Sequence, residues 1–210
     1  MVGGLLADRL LAAQGGPEIH ALLRRPSGRS HKRWHEQVAP APDWPALASG
    51  LAADAAVSAL GTTMRAAGSE AAFRAVDLAS VVDFAAAARR AGARHMVTVS
   101  SVGADASSAN FYLRIKGEME RALEDLGFER LDILRPGLLR GERGAERRLG
   151  ERVGIAISPV VNLFLRGRWD RFAAIDADLV AATIAACLGQ GEAGIFRHHN
   201  REIRRLAAGF

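Results

Sequence analysis

Cysteine is almost missing from this chain: in 210 residues Cys187 stands alone, so no disulfide framework can staple the fold. Set in the apolar helical stretch Ala181 to Leu188, it reads as core rather than nucleophile, and the reducing compartment expected for it is the cytoplasm. Long apolar runs are missing too. None approaches the roughly 18 to 20 residues of a membrane span, although 49% of the residues are apolar, so no membrane partner is expected. No basic, apolar and cleavable pattern opens the chain, and no secretory leader is expected. Tyrosine occurs once, at Tyr112, and lysine twice, at Lys32 and Lys116. Internal repeats, low-complexity tracts and a clear interdomain linker are lacking, which leaves a single domain over residues 1–210 with a sizeable core. Residues from about 140 to 210 are expected to form a small substrate-side region of it.

Charge is present in excess of one sign, with a net +5 and a pI near 10.5. The excess is scattered over Arg24-Arg25, Arg89-Arg90, Arg147-Arg148, Arg166, Arg168 and Arg204-Arg205, mostly beside acids. No aromatic-rich basic strip accompanies it, so no nucleic-acid partner is expected. His31 and His35 lie four apart without a nearby cysteine or paired carboxylates. They read as a surface loop, and no metal site is expected. His198-His199 reads as a polar turn.

What is there centres on Val97-Thr98-Val99-Ser100-Ser101 and the later Tyr112-Leu113-Arg114-Ile115-Lys116. The first is an apolar strand ending in hydroxyls. The second puts a phenol and an ammonium four apart, on one face of a helix. Ser100 or Ser101 then sits at the carboxyl end of its strand, where open α/β sheets form their ligand crevice. A hydroxyl, a phenol and a cation meeting there can polarise a carbonyl and protonate its oxygen. Lysine at 116, where nearly every other basic residue is arginine, favours a compact ammonium over a guanidinium fork.

Around that pair the chain alternates strand and helix. A helix starts at glycines and runs over 2–11, a strand covers 18–23, and a short third strand lies near 36–39. A buried strand over 54–60 precedes the turn Gly61-Thr62-Thr63. Asp77 is expected to cap a helix from Leu78 to Ala91 closed by Gly92. Strands at 95–101 and 131–134 flank the Tyr112 helix, which ends at Gly127. A charged, glycine-rich loop is expected over 140–152 and an apolar helical segment over 155–165. Asp176 begins a last long helix, and Ile195-Phe196 forms a final strand. This is the pattern of an α/β fold: a Rossmann-like doubly wound parallel sheet in three αβα layers. Helix, strand and basic turn at the start make the second half of a nucleotide-binding unit without its first strand. The expectation is that the start is assigned late or truncated. Arg24 and Arg25 follow a strand at the point where an acid would hold ribose hydroxyls, and arginine there suits a 2′-phosphate, so NADPH is expected over NADH.

The strings Leu60-Gly61-Thr62-Thr63, Ser100-Ser101-x-Gly103-Ala104-Asp105, Tyr112-x-x-x-Lys116-Gly117-Glu118 and Arg135-Pro136-Gly137 resemble the short-chain dehydrogenase/reductase superfamily. The similarity is to its atypical, Tat-interacting-protein-like branch of NAD(P)H-binding proteins, over about residues 2–194. The resemblance implies Tyr112 as proton donor, Lys116 as its partner and ribose contact, and Ser101 or Ser100 at the carbonyl oxygen. For the cofactor it implies Gly3 as the third glycine of the phosphate turn, the other two falling before Met1. Leu60, Gly61 and Thr62 would lie beside the adenosine and ribose, and Pro136, Gly137 and Leu138 would wall the nicotinamide. It allows a homodimer through the Val81, Phe84, Ala88 stripe. The activity it implies is hydride transfer between NADPH and a small carbonyl or alcohol. The alternatives are an NADP(H)-binding sensor or partner-binding protein with little turnover, or a nucleotide-sugar epimerase or dehydratase.

Overall fold

Glycine-led but apolar at helical spacing, the opening segment folds as α1 (Val2–Ala12), with Val2, Leu6, Ala7 and Leu10 buried. The structure, a computed structural model, describes residues 1–140 and 173–209. The loop expected over 140–152 and the helix over 155–165 lie outside the described residues, save for Arg140. After α1 come β1 (Ile19–Leu23) and β2 (Trp34–Val38), paired in parallel with Ile19 opposite Trp34. The second strand thus starts two residues before the expected position. A short α2 (Trp44–Ser49) leads to β3 (Ala55–Ser58).

The following helix departs from expectation. α3 (Met64–Ala67) is one turn, capped by the Thr63 hydroxyl. Then Ser69 caps α4 (Glu70–Arg74), which continues through a π-helical segment, Ala75–Ala79, into α5 (Ser80–Arg90). Asp77 is therefore not a cap. It sits inside a continuous helical run and is 1% exposed. An aspartate preceding an apolar helical stripe carries the same sequence signature whether it caps or is buried.

The main sheet adds β4 (His95–Val99), β5 (Arg130–Leu134) and β8 (Gly194–His198) to β3, in the order β3-β4-β5-β8, all parallel. Between them run α6 (Phe111–Glu124), β6 (Leu139–Arg140), β7 (Ile175–Asp176) and α7 (Ala177–Leu188); α8 (Asn200–Ala207) follows β8. Alternation on the central strands builds the layers. Met96, Leu131 and Ile133 pack under α5 and α6, with Met119 and Leu123. Val97 and Leu134 face α1, α7 and α8, with Val180, Ile184 and Ile203. Every residue of β5 is buried, as expected for a parallel strand covered on both faces. This is the three-layer, Rossmann-like αβα arrangement.

Two features were not legible. The helix α8 was unforeseen, and His198 is no surface turn: it is buried and its Nε2 lies 2.6 Å from Asp132 Oδ1. The sheet is also divided. β1 and β2 form a two-stranded sheet of their own, so among the described residues β1 and β3 are each paired along one edge only. Ile19 of β1 and Val57 of β3 both pack on the cluster that includes Val2, Leu6 and Leu10, which closes this part of the core from one face.

Candidate functional site

The residues singled out in the sequence gather at the carboxyl ends of β1, β3, β4 and β5, the ligand side of a parallel sheet. α6 supplies the central pair. Asn110 caps it, its side chain accepting from the Leu113 amide at 3.1 Å. Tyr112 and Lys116 follow one turn apart. The Tyr112 ring is half-buried against Phe73, with centroids 5.6 Å apart, and its hydroxyl forms no hydrogen bond with the described residues. That leaves the phenol able to bond a ligand.

Lys116 is differently placed. It is 4% exposed, and its Nζ lies 2.7 Å from Asp77 Oδ1. The other oxygen of Asp77 accepts from the Thr62 amide at 2.8 Å. A Cβ on Gly61 would lie 3.4 Å from Asp77 Oδ1 and 4.0 Å from Lys116 Nζ, so the glycine turn lies directly over the ion pair. The structure thus brings Gly61, Thr62 and Lys116 together, through an acid that sequence reasoning assigned elsewhere. Gly3 joins them from α1, where a Cβ would come 3.7 Å from that of Ala59, next to Leu60.

The two serines separate. Ser100, 5% exposed, donates its hydroxyl to Glu120 Oε1. Glu120 is one turn beyond Lys116 on α6, is 2% exposed, and is gripped by Arg135, whose Nε reaches both carboxylate oxygens at 3.0 and 3.1 Å. A salt-bridged carboxylate only accepts, so the Ser100 proton is committed to Glu120. Ser101 makes one long bond, 3.3 Å, to the carbonyl of its neighbour Val102. The signal for Glu120 was in the sequence: Tyr112, Lys116 and Glu120 fall at intervals of four on one helix face.

The remaining candidates are spread around this centre. Val102 N–H donates to Pro136 O at 2.9 Å, tying the serine loop to the turn after β5. Gly137 N–H donates to Asn200 Oδ1 at 3.0 Å, and Leu138 is 61% exposed. Arg24 and Arg25 stand exposed after β1, with no hydrogen bond or ion pair to described residues. Arg29, which the sequence did not single out, donates to Asp8 Oδ1 at 3.0 Å and to Gly4 O at 3.1 Å, and lies over the Trp34 ring. It lines a cleft with Met1, Gly4, Leu5 and Asp178 at the start of α1. No acid stands in the first turn of α1, so its free amides suit an anion.

No family model matches the chain. Individual relatives do. Protein FMP52, mitochondrial, of Coccidioides immitis is 47% identical over 98 residues, 47% of this chain and 40% of the relative. The fmp52 protein of Aspergillus niger is 40% identical over 146 residues, 67% of this chain and 62% of the relative. Protein HTATIP2 of Rattus norvegicus is 44% identical over 98 residues, 47% of this chain and 40% of that protein. The chain spans about half the length of the curated relatives it matches. Among solved structures, the UDP-Glc/GlcNAc 4-epimerase of Campylobacter jejuni aligns over 98% of this chain and 79% of its own, with TM-score 0.69 and 14% identity. WbmG of Bordetella bronchiseptica, solved in complex with NAD, aligns over 99% of this chain and 73% of its own, with TM-score 0.67 and 16% identity. These two establish the fold alone.

The FMP52 relatives are named mitochondrial, which overturns the cytoplasmic placement expected from the cysteine count. One buried thiol rules out a disulfide framework, but it does not distinguish one reducing compartment from another. Fold, motif strings and relatives point the same way: the chain has a Rossmann-like fold, is similar to FMP52 and HTATIP2, and resembles the atypical short-chain dehydrogenase/reductases.

Proposed function

We propose that this chain is an NADPH-dependent oxidoreductase acting on a small carbonyl or alcohol substrate. The observation that carries the reading is the Tyr112 hydroxyl, without a hydrogen bond among the described residues and one helical turn from a buried ammonium that adjoins the Gly61-Thr62 turn. The residues fit a dinucleotide: Gly3 and the free amides of α1 toward phosphates, Arg24 and Arg25 toward a 2′-phosphate, Leu60, Gly61, Thr62 and Lys116 along the ribose side, Pro136, Gly137 and Leu138 along the nicotinamide. When bound, the nicotinamide supplies or accepts the hydride.

The protein's own share is proton movement and orientation. Tyr112 gives its phenolic proton to the nascent alkoxide oxygen. The Lys116 cation, one turn along the helix, would stabilise the phenolate left behind. Ser101 donates to the carbonyl oxygen, because the Ser100 proton is directed at Glu120. Ser100 then steadies the strand end from behind. Replacing Tyr112 by Phe is expected to lower turnover across a carbonyl panel by roughly 100-fold or more while NADPH titration is unchanged. Undiminished turnover would refute the role.

A second reading has one observation in its favour: Lys116 is already engaged by Asp77. It makes the chain an NADP(H)-binding sensor with little turnover. NADPH binding without turnover of any carbonyl substrate by the unaltered protein would select it. Epimerase or dehydratase chemistry ranks below both, since the epimerase neighbours speak to fold only.

A further inference from the structure

Asp77 has a place in the site that neither its sequence context nor the family strings indicate. It is a carboxylate 1% exposed, in a π-helical segment. One oxygen is held by the Thr62 amide at 2.8 Å, and the other has, among the described residues, no partner except Lys116 Nζ at 2.7 Å. The neighbouring charges are spent elsewhere. Arg74, one turn earlier on the same helical run, pairs with Glu118 of α6 at 2.7 Å. Glu120, the next acid along α6, is bound to Arg135 and lies 4.0 Å from Arg197. Arg114 on α6 donates to the carbonyl of Ser108 at 2.9 Å. Asp105, in the loop against α6, is bonded to Ser107.

We propose that Asp77 is a positioning residue that sets the field at Tyr112: it fixes Lys116 against the Gly61-Thr62 turn and offsets its charge at the phenol. Two opposite unit charges 2.7 Å apart, both removed from solvent, act on a third group as a dipole rather than as a cation. The effect of Lys116 on Tyr112 therefore depends on Asp77. The proposal rests on the reading of Tyr112 as proton donor, but its test needs neither substrate nor turnover.

Tyr112 is the sole tyrosine of the chain, so ultraviolet titration of tyrosinate reports this one phenol. Asp77→Asn, which is isosteric and keeps an acceptor for the Thr62 amide, is expected to move the tyrosinate midpoint down by about one pH unit or more. Lys116→Met is expected to move it up by a similar amount. The double variant D77N/K116M, which buries no charge and guards against loss of fold in either single change, is expected to return to the unaltered midpoint. Opposite shifts that cancel are the signature of offsetting charges. Shifts in one direction for all three variants, or none, would overturn the proposal and leave a purely structural ion pair. Failure of the catalytic reading shows separately, as undiminished turnover in Tyr112→Phe.

Discussion

Asp132, wholly buried on β5, receives four bonds: Arg130 Nε at 2.6 Å and Nη2 at 3.0 Å, His95 Nε2 at 2.7 Å and His198 Nε2 at 2.6 Å. A carboxylate only accepts, so both imidazoles must carry their proton on Nε2. Burial by itself would raise the Asp132 carboxyl, but the bonds from His198, His95 and Arg130 and the Arg130 charge outweigh it and hold the group well below the usual carboxylate range. The sign follows. A depressed native value gives stabilisation that is fully present above the ordinary aspartate range and is lost as pH falls through and below it. Urea midpoints should therefore drop below about pH 4, and Asp132→Ala should remove most of that dependence. The same substitution leaves a buried guanidinium without its partner and is expected to cost about 3–5 kcal/mol at neutral pH. A loss under 1 kcal/mol would mean that the cluster is solvated. Cys187 lies beside this group, its Sγ 3.9 Å from His198 Nε2. Burial and the Asp132 charge push its thiol up to about 12, in keeping with a core residue.

At the scale of elements, α6 and the loop before it act as one unit. Asp105 turns the loop by accepting from the Ser107 amide and hydroxyl at 2.8 and 2.7 Å, and its own amide donates to Leu113 O on α6. The loop backbone comes so near the helix that a Cβ on Gly117 would lie 2.1 Å from Ala106 N and 2.3 Å from Asp105 C. Backbone cannot rotate away as a side-chain end can. Gly117→Ala is thus expected to destabilise by about 3 kcal/mol and to shift the loop that carries the Ser101 connection. Thermal unfolding measures the first effect; a melting temperature equal to that of the unaltered chain would show that the helix and loop separate freely. The cost of glycine inside a helix, about 1 kcal/mol relative to alanine, is accepted here for close approach.

For the whole molecule, the divided sheet is the feature with the widest consequence. β4 and β5 are bonded along both edges and buried, whereas among the described residues β1 and β3 each keep one edge unpaired. Parallel strands direct alternate amides to either side, so half the amides of β1 and β3 lack a ladder partner. Hydrogen exchange of the isolated chain should find β1 and β3 unprotected well before β4 and β5. Equal protection in all four strands would mean that another strand closes the gap. Among the described residues no helix is long and apolar enough to cross a membrane.

The sequence by itself determined what depends on local periodicity and punctuation. The strand ending in Ser100-Ser101, the helix carrying Tyr112 and Lys116, and the order of strands and helices all follow from alternation, caps and glycine stops. Those signals also sufficed to resemble a family. Only the tertiary structure decided which polar groups face one another. Asp77 looked like a cap, His198 like a turn, and Ser100 and Ser101 were interchangeable, because burial, not residue type, separates a partner from a solvated neighbour. The partner of Lys116 lies 39 positions back along the chain, and that of Asp132 is on a strand 66 positions ahead. No local pattern records distances of that kind; packing brings such groups together, and the cost of leaving a charge buried alone fixes them there.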